Sequence, residues 1–380
     1  MFYTIITLKR MDADMTTVRE KTPLYYGELA CDTLMAKYRP EELPPKGRFH
    51  YHQGVFLSGM EQCYFQNRDE KYYNYIKDWV DSIIDEDGKV TEYDATQLDD
   101  LQPCILLFHL YEKTKDERYK TALHTLIPLV KGWKTNSQGG FWHKEIYPNQ
   151  MWLDGLYMGG PFSVHFGKTF AYPEYFDLIT HQALLMYEHT RDFKTGLLYH
   201  GWDETREAIW AHPATGKAPE FWGRAIGWYP VALLDIFDYL PEEHSKKPEL
   251  VLILQDLLKS LVPFQDESTG LWYQVVDKVN ESDNWLETSC TCLFVCALAK
   301  AVRMGYLHKI YLKYAWKGFD GVINRLKYDE NGGIVIDGVC IGTGIGDYTH
   351  YINRPTSVND LHGAGAFILM CAEMNLAETL

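Results

Sequence analysis

The chain has 380 residues, 46% hydrophobic and 14% aromatic, enough to bury a large core and to exclude a disordered or fibrous protein. A formal net charge of −15 and a pI of about 5.4 exclude sequence-independent nucleic-acid binding, which needs a basic face. Small substrates stay open, because a local site can be cationic on an acidic protein.

The first residues, MFYTIITLKRMDADM, hold a short apolar run with its basic residues after it and no small-residue cleavage site. We therefore expect an N-terminal extension over 1–24 and no signal peptide, with Met11 an alternative start. No stretch is long and apolar enough to span a membrane. The eight cysteines are scattered, several of them in apolar helical runs, and none forms a Cys-x-x-Cys pair. They read as small core residues in a reducing compartment, so the expected location is cytoplasmic; a metal site on Cys290 and Cys292 is the weaker alternative.

Beyond the extension, the helical period recurs. In PELVLILQDLLKSLV the apolar residues Leu250, Ile253, Leu254, Leu257, Leu258 and Leu261 trace one buried face. Comparable segments cover 24–37, 50–65, 69–84, 98–113, 116–131, 153–167, 173–191, 223–240, 247–264, 286–304, 307–325 and 358–376, which makes twelve helices. A phrase of glycine followed by aliphatic or aromatic residues recurs after odd-numbered helices: DGKVTEY, GGFWHKE, TGLLYHG, TGLWYQV and NGGIVID. Each reads as a turn feeding a short strand. One helix pair per phrase is a loose internal repeat. The expected fold is all-α: six helical hairpins closed into an (α/α)6 barrel with short β-like rim segments, one catalytic domain over 25–380. The absence of polar capping repeats favours closure over an open solenoid. PEEHSKKPE at 241–249 is a loop, not a linker.

Such a barrel places the start of every even helix at one end. Tyr51, His52 and Gln53, Asp99 and Asp100, Asp154, Arg224 and Trp228, Glu287 to Ser289, and Asn359, Asp360 and His362 are expected to line a common cavity. The rim phrases add His143, Lys144 and His200. The indoles of Trp142, Trp152, Trp202, Trp222 and Trp228, with Tyr199, suit stacking on sugar rings, or else fill the core. Asp154, in MWLDGLYMGGPF, has apolar flanks that raise a carboxyl pKa and suit a general acid, although a helix N-cap is its bland alternative. Asp99 is the second candidate acid, with Asp100 beside it free to act as the cap. Arg224 opens an apolar helix and, if buried, must pair with an anion, either of the protein or a substrate carboxylate. No Ser-His-Asp spacing or phosphate loop stands out, and GTGIG at 342–346 lacks the strand and helix a nucleotide loop requires.

LDDLQPC, GGFWHK, MWLDGLYM, GLLYHGWDE, FWGRAIGWYPVALLD, LETSCTCLFVCALAKAVRMGYL and HGAGAFILMCAEM together resemble glycoside hydrolase family 105, from about residue 25 to the C-terminus. Those enzymes are unsaturated rhamnogalacturonyl hydrolases with an α/α six-fold barrel. The resemblance implies a substrate of pectin-derived oligosaccharides bearing a non-reducing-end uronic acid with a C4=C5 double bond. It implies protonation of that vinyl ether by Asp154, with Asp99 the second essential acid and no metal or cofactor. His143, Trp152, His200, Arg224 and Trp228 match substrate-site positions of the family. Lys144, Met158 and His362 are expected to join them in binding substrate. LDDLQPC departs from the family at Cys104, where a glycine-like residue is expected. Alternatives are an unsaturated glucuronyl hydrolase, another barrel enzyme such as a lyase or epimerase, or a non-catalytic carbohydrate-binding protein.

Overall fold

The computed structural model describes residues 21–380, so most of the expected 1–24 extension, with the leader and start-site readings, lies outside the described residues. Twelve long helical segments follow, as the periodicity predicts. They are α1 (Pro23–Lys37), α2 (Tyr51–Asn67), α3 (Glu70–Asp81), a 3-10 segment (Leu98–Ile105) continued by α4 (Leu106–Thr114), α5 (Glu117–Lys131) and α6 (Leu153–Phe170). Then come α7 (Glu174–Thr190), α8 (Gly223–Phe237), α9 (Lys247–Leu261), α10 (Thr288–Arg303), α11 (Leu312–Arg325), a short α12 (Tyr348–Ile352) and α13 (Leu361–Ala377).

The inner helices pack in the cyclic order α2, 98–114, α6, α8, α10, α13 and back to α2. This is a closed ring, and the outer helices cover it: an (α/α)6 barrel. Inner helices are apolar nearly all round because both faces are covered. In α8 every residue from Gly223 to Leu234 is buried. The outer helix α9 is amphipathic, and the six apolar residues picked out by period are all buried.

The two ends of the barrel differ. Several turns from inner to outer helix are tight. Arg68 and Lys115 take left-handed backbone conformations after α2 and α4, and Asp69 and Asp116 then cap α3 and α5. Connections from outer to inner helix are long and carry the glycine phrases. Gly88, Gly139, Gly196, Gly270 and Gly332 all have φ between +77° and +81°, a region open to glycine at no steric cost. The extended residues that follow pair in short antiparallel ladders. The site uses one of them, β1 (Gln150–Trp152) against β2 (Gly201–Asp203), with Trp152 opposite Gly201.

One predicted helix begins differently. Residues 98–105 are a 3-10 turn, because Pro103 has no N–H to give and disfavours an α conformation before it. Cys104 is buried in the core there and leaves Asp99 facing the cavity. Cys290 and Cys292 are buried in α10, and all eight cysteines are unpaired. Among the described residues, no helix is long and apolar enough to cross a membrane.

Candidate active site

A cavity of about 340 Å³ opens at the end where the glycine phrases gather. Asp99, His143, Lys144, Trp152, Asp154, Met158, Arg224 and Trp228 line it, as do Tyr51 and His52 from the start of α2. The helix-start rule therefore collects most of the expected residues.

Asp154 is the second residue of α6. The ladder of β1 and β2 extends to a Leu153 N–H to His200 carbonyl bond of 3.0 Å, which sets the His200 ring beside the acid. His200 Nε2 stands 3.1 Å from Asp154 Oδ2, and its Nδ1 stands 2.7 Å from the Tyr351 hydroxyl. His200 and Tyr351 are fully buried. Burial pushes the Asp154 carboxyl up, but the His200 hydrogen bond and the charges of His200 and His143 outweigh it and hold the carboxyl below the usual range. This corrects the expectation of a raised pKa: the apolar flanks are present, but a histidine distant in sequence dominates. It also corrects His200, which stands behind Asp154 instead of lining the cavity.

Asp99 sits on the 3-10 turn, buried. Lys144 Nζ is 2.7 Å from its Oδ2 and 3.0 Å from Gln97 Oε1, while His143 Nε2 lies 3.7 Å from Asp99 Oδ1. Burial raises the Asp99 pKa, and His143 and Lys144 more than offset that and hold it below the usual range; near neutral pH the Lys144 ammonium is the charge beside the ionised Asp99. His143 itself is pushed down to about 4 by burial. Asp100 points away. It accepts the Asp94 N–H at 2.9 Å and faces Arg48 at 3.3 Å, and burial pushes it up to about 7.

Aromatic rings form the walls. Trp152 stacks between His143 and Tyr147, with ring centroids 4.5 and 4.9 Å away. Trp228 stacks on Tyr157 at 4.4 Å. Trp222 also lines the cavity and carries the Arg224 guanidinium 4.5 Å above its ring. Trp142, Trp202 and Tyr199 do not line it; Trp202 stacks on His189 and Tyr199 on Phe221.

Arg224 is buried, yet among the described residues no carboxylate oxygen lies within ion-pair distance of it. It donates instead to the carbonyls of Cys340 and, at 2.8 Å, Ile341. Ser289 links it to Glu287: the Ser289 hydroxyl is 3.4 Å from Arg224 and 2.7 Å from Glu287. The expected protein counter-ion is thus displaced one residue back, which leaves the guanidinium charge available to the cavity.

Other expectations need correction. His362 is buried outside the lining, its Nε2 3.1 Å from the Cys340 carbonyl. Gln53 donates to the carbonyls of Leu43 and Pro45, and Glu287 caps α10. Glu287, Thr288, Ser289, Asn359 and Asp360 also fall outside the lining. The discounted GTGIG string, by contrast, contributes Gly342, Thr343 and Gly344 to the wall, and Arg354 fastens the loop through a 2.6 Å bond to the Gly342 carbonyl. His50, Tyr147 and Arg354 were likewise not singled out as site residues. A glycine-rich run just after an aliphatic rim phrase was the available signal for the loop.

Two acids facing one cavity, with indole faces beside them, meet the needs of glycosidic-bond chemistry and define the class: a glycoside hydrolase. The sequence profile described as Glycosyl Hydrolase Family 88 matches residues 26–377, and the chain belongs to that family. It is similar to a solved glycoside hydrolase of family 105 from C. acetobutylicum ATCC 824. Identity there is 35% and the TM-score 0.88, covering 93% of this chain and 99% of that one. It is 33% identical to Protein Atu3128 of Agrobacterium fabrum over 230 residues, covering 57% of this chain and 97% of the relative. It is also 28% identical over 285 residues to the unsaturated rhamnogalacturonyl hydrolase YesR of Bacillus subtilis, covering 73% and 76% of the two chains.

Proposed function

We propose that the chain removes the non-reducing-end unsaturated uronic acid from rhamnogalacturonan oligosaccharides left by lyase action. The observation that carries this reading is the Asp154–His200–Tyr351 chain, which presents one adjustable carboxyl to a cavity with a cationic wall. The 3.1 Å contact between His200 Nε2 and Asp154 Oδ2 is a path along which a proton can pass. A uronate carboxylate held near Arg224 adds negative charge, which favours the neutral form of Asp154 and moves the proton onto it. Asp154 then protonates C4 of the vinyl ether. Water adds at C5, and its surplus proton returns to the Asp154–His200 pair. The resulting hemiketal opens, and the acetal carbon, now a hemiacetal, releases the neighbouring sugar. Asp99, ionised beside Lys144, orients the water or a ring hydroxyl. Trp152 and Trp228 offer faces to the sugar, and Met158 completes the apolar wall.

The relative YesR supports rhamnogalacturonyl over glucuronyl substrates, and eight buried, unpaired cysteines support work in a reducing, cytoplasmic setting. The test is to mix the protein with an unsaturated rhamnogalacturonan disaccharide and follow the ultraviolet absorbance of its conjugated double bond. Loss of absorbance with release of rhamnose is expected. Turnover only of an unsaturated glucuronyl disaccharide would replace the substrate, and no turnover of either would overturn the reading.

A further inference from the structure

Three side chains with metal-ligating atoms converge where the ring of inner helices closes. His52 lies in the first turn of α2, and Asp360 and His362 stand at the start of α13. Asp360 Oδ1 is 3.4 Å from His52 Nδ1 and 2.7 Å from His362 Nδ1, and one ligand atom of each residue lies within 4.8 Å of the others.

The hydrogen bonding of His362 is the telling detail. Its Nε2 faces the Cys340 carbonyl at 3.1 Å. A carbonyl only accepts, so Nε2 is a donor there, and Nδ1 is the ring atom left to meet a ligand. That Nδ1 is buried and has no hydrogen-bond partner, although Asp360 Oδ1 is 2.7 Å away. The two atoms are close without meeting hydrogen-bond geometry, and a cation at the vertex they share would engage both.

We propose that His52, Asp360 and His362 bind a divalent transition-metal ion of the zinc type, which ties the first inner helix to the last. Two imidazoles and a carboxylate suit such an ion. A histidine ligand held by its other N–H on a backbone carbonyl is the usual supporting arrangement, and the Ser357 hydroxyl likewise steadies Asp360 Oδ2 at 3.3 Å. Ligands about 2.0–2.2 Å from zinc stand about 3–3.5 Å apart; the His52–Asp360 separation of 3.4 Å falls in that range, and the His362–Asp360 separation of 2.7 Å has to widen by a few tenths of an ångström to admit the ion. His52 also lines the substrate cavity, so the site adjoins it. The ion is a staple at the barrel seam, outside the proton transfer at Asp154, and it revises the expectation that the chain holds no metal.

The competing arrangement is a doubly protonated His362 paired with Asp360. The full chain, stripped with a chelator, is titrated with Co2+ while its visible absorption and bound metal are measured, alongside His52→Gln and Asp360→Asn. Asparagine keeps the cap of α13, so the second variant retains its fold. We expect one equivalent of Co2+ per chain, displaced by Zn2+, with affinity lowered about tenfold or more in each variant. Zn2+ is expected to raise Tm in the wild type and not in the variants. No Co2+ spectrum, or one that both variants leave unchanged, overturns the proposal in favour of the ion pair.

Discussion

Replacing His200 by Gln tests whether this histidine sets the charge on Asp154. Burial pushes the Asp154 carboxyl up, and His200 Nε2 at 3.1 Å pulls it down. A hydrogen bond to a charged group is worth about 1.5–3 kcal/mol. One pKa unit corresponds to about 1.4 kcal/mol, so losing the bond lifts the Asp154 pKa by about 1–2 units. Asp154 must be protonated to donate, so activity falls as pH rises through its pKa. The alkaline limb of kcat/KM therefore moves to higher pH by about 1–2 units in the variant. Gln carries no charge but can still accept from Tyr351, whose hydroxyl also keeps the Gly346 N–H at 3.4 Å, so the fold is expected to hold. The assay is the initial rate of double-bond loss from an unsaturated disaccharide across pH, with Tm measured in parallel. A limb that stays in place or moves to lower pH, in a variant that melts normally, would refute the reasoning.

Asp154→Asn keeps the shape of the carboxyl and removes the proton it gives. A loss of about 10²–10⁴-fold in kcat with little change in Tm is expected, and near-normal turnover would remove Asp154 from the chemistry. Burial pushes the Asp100 carboxyl up from an ordinary 3.8 to about 7. For an acid shifted up, the stabilisation is complete below the unfolded value and is lost as pH rises through the folded one. The Tm of the wild type should thus fall relative to Asp100→Asn between about pH 4 and pH 7 and level off above that, and a difference independent of pH would count against the shift. Gly365 in α13 leaves no room for a side chain, since a Cβ there would lie 2.5 Å from the Val55 carbonyl carbon of α2. Gly365→Ala has to push the two inner helices apart, at about 1–3 kcal/mol, read by chemical denaturation. An unchanged midpoint would show that the seam yields.

The helices were legible because their signal is local. One apolar face at i, i+3, i+4 is enough to find α9, and a fully apolar run flanked by caps is enough to find α10 and α13. The count of hairpins then orients the barrel, and the orientation alone brings Asp99, Asp154, Arg224 and Trp228 to one end. The same rule overreached at Glu287, Asp360 and His362, which share the helix-start position but face their neighbours. Position along a helix says where a residue sits, while its rotation about the axis depends on packing against chains far away.

What the sequence determined by itself was the set of helices, the repeat of glycine turns and the presence of two acids in unusual company, all properties of a few consecutive residues. The tertiary structure decided what those acids are. His200 lies 46 positions from Asp154, yet it reverses the charge preference that the local flanks imply, and Tyr351, 151 positions further on, fixes its ring from behind. The Cys340–Gly344 strand and loop, which holds Arg224 and walls the cavity, likewise has its role only once the barrel has closed. Electrostatic energies depend on distance in space, and folding sets those distances between residues that the chain keeps far apart.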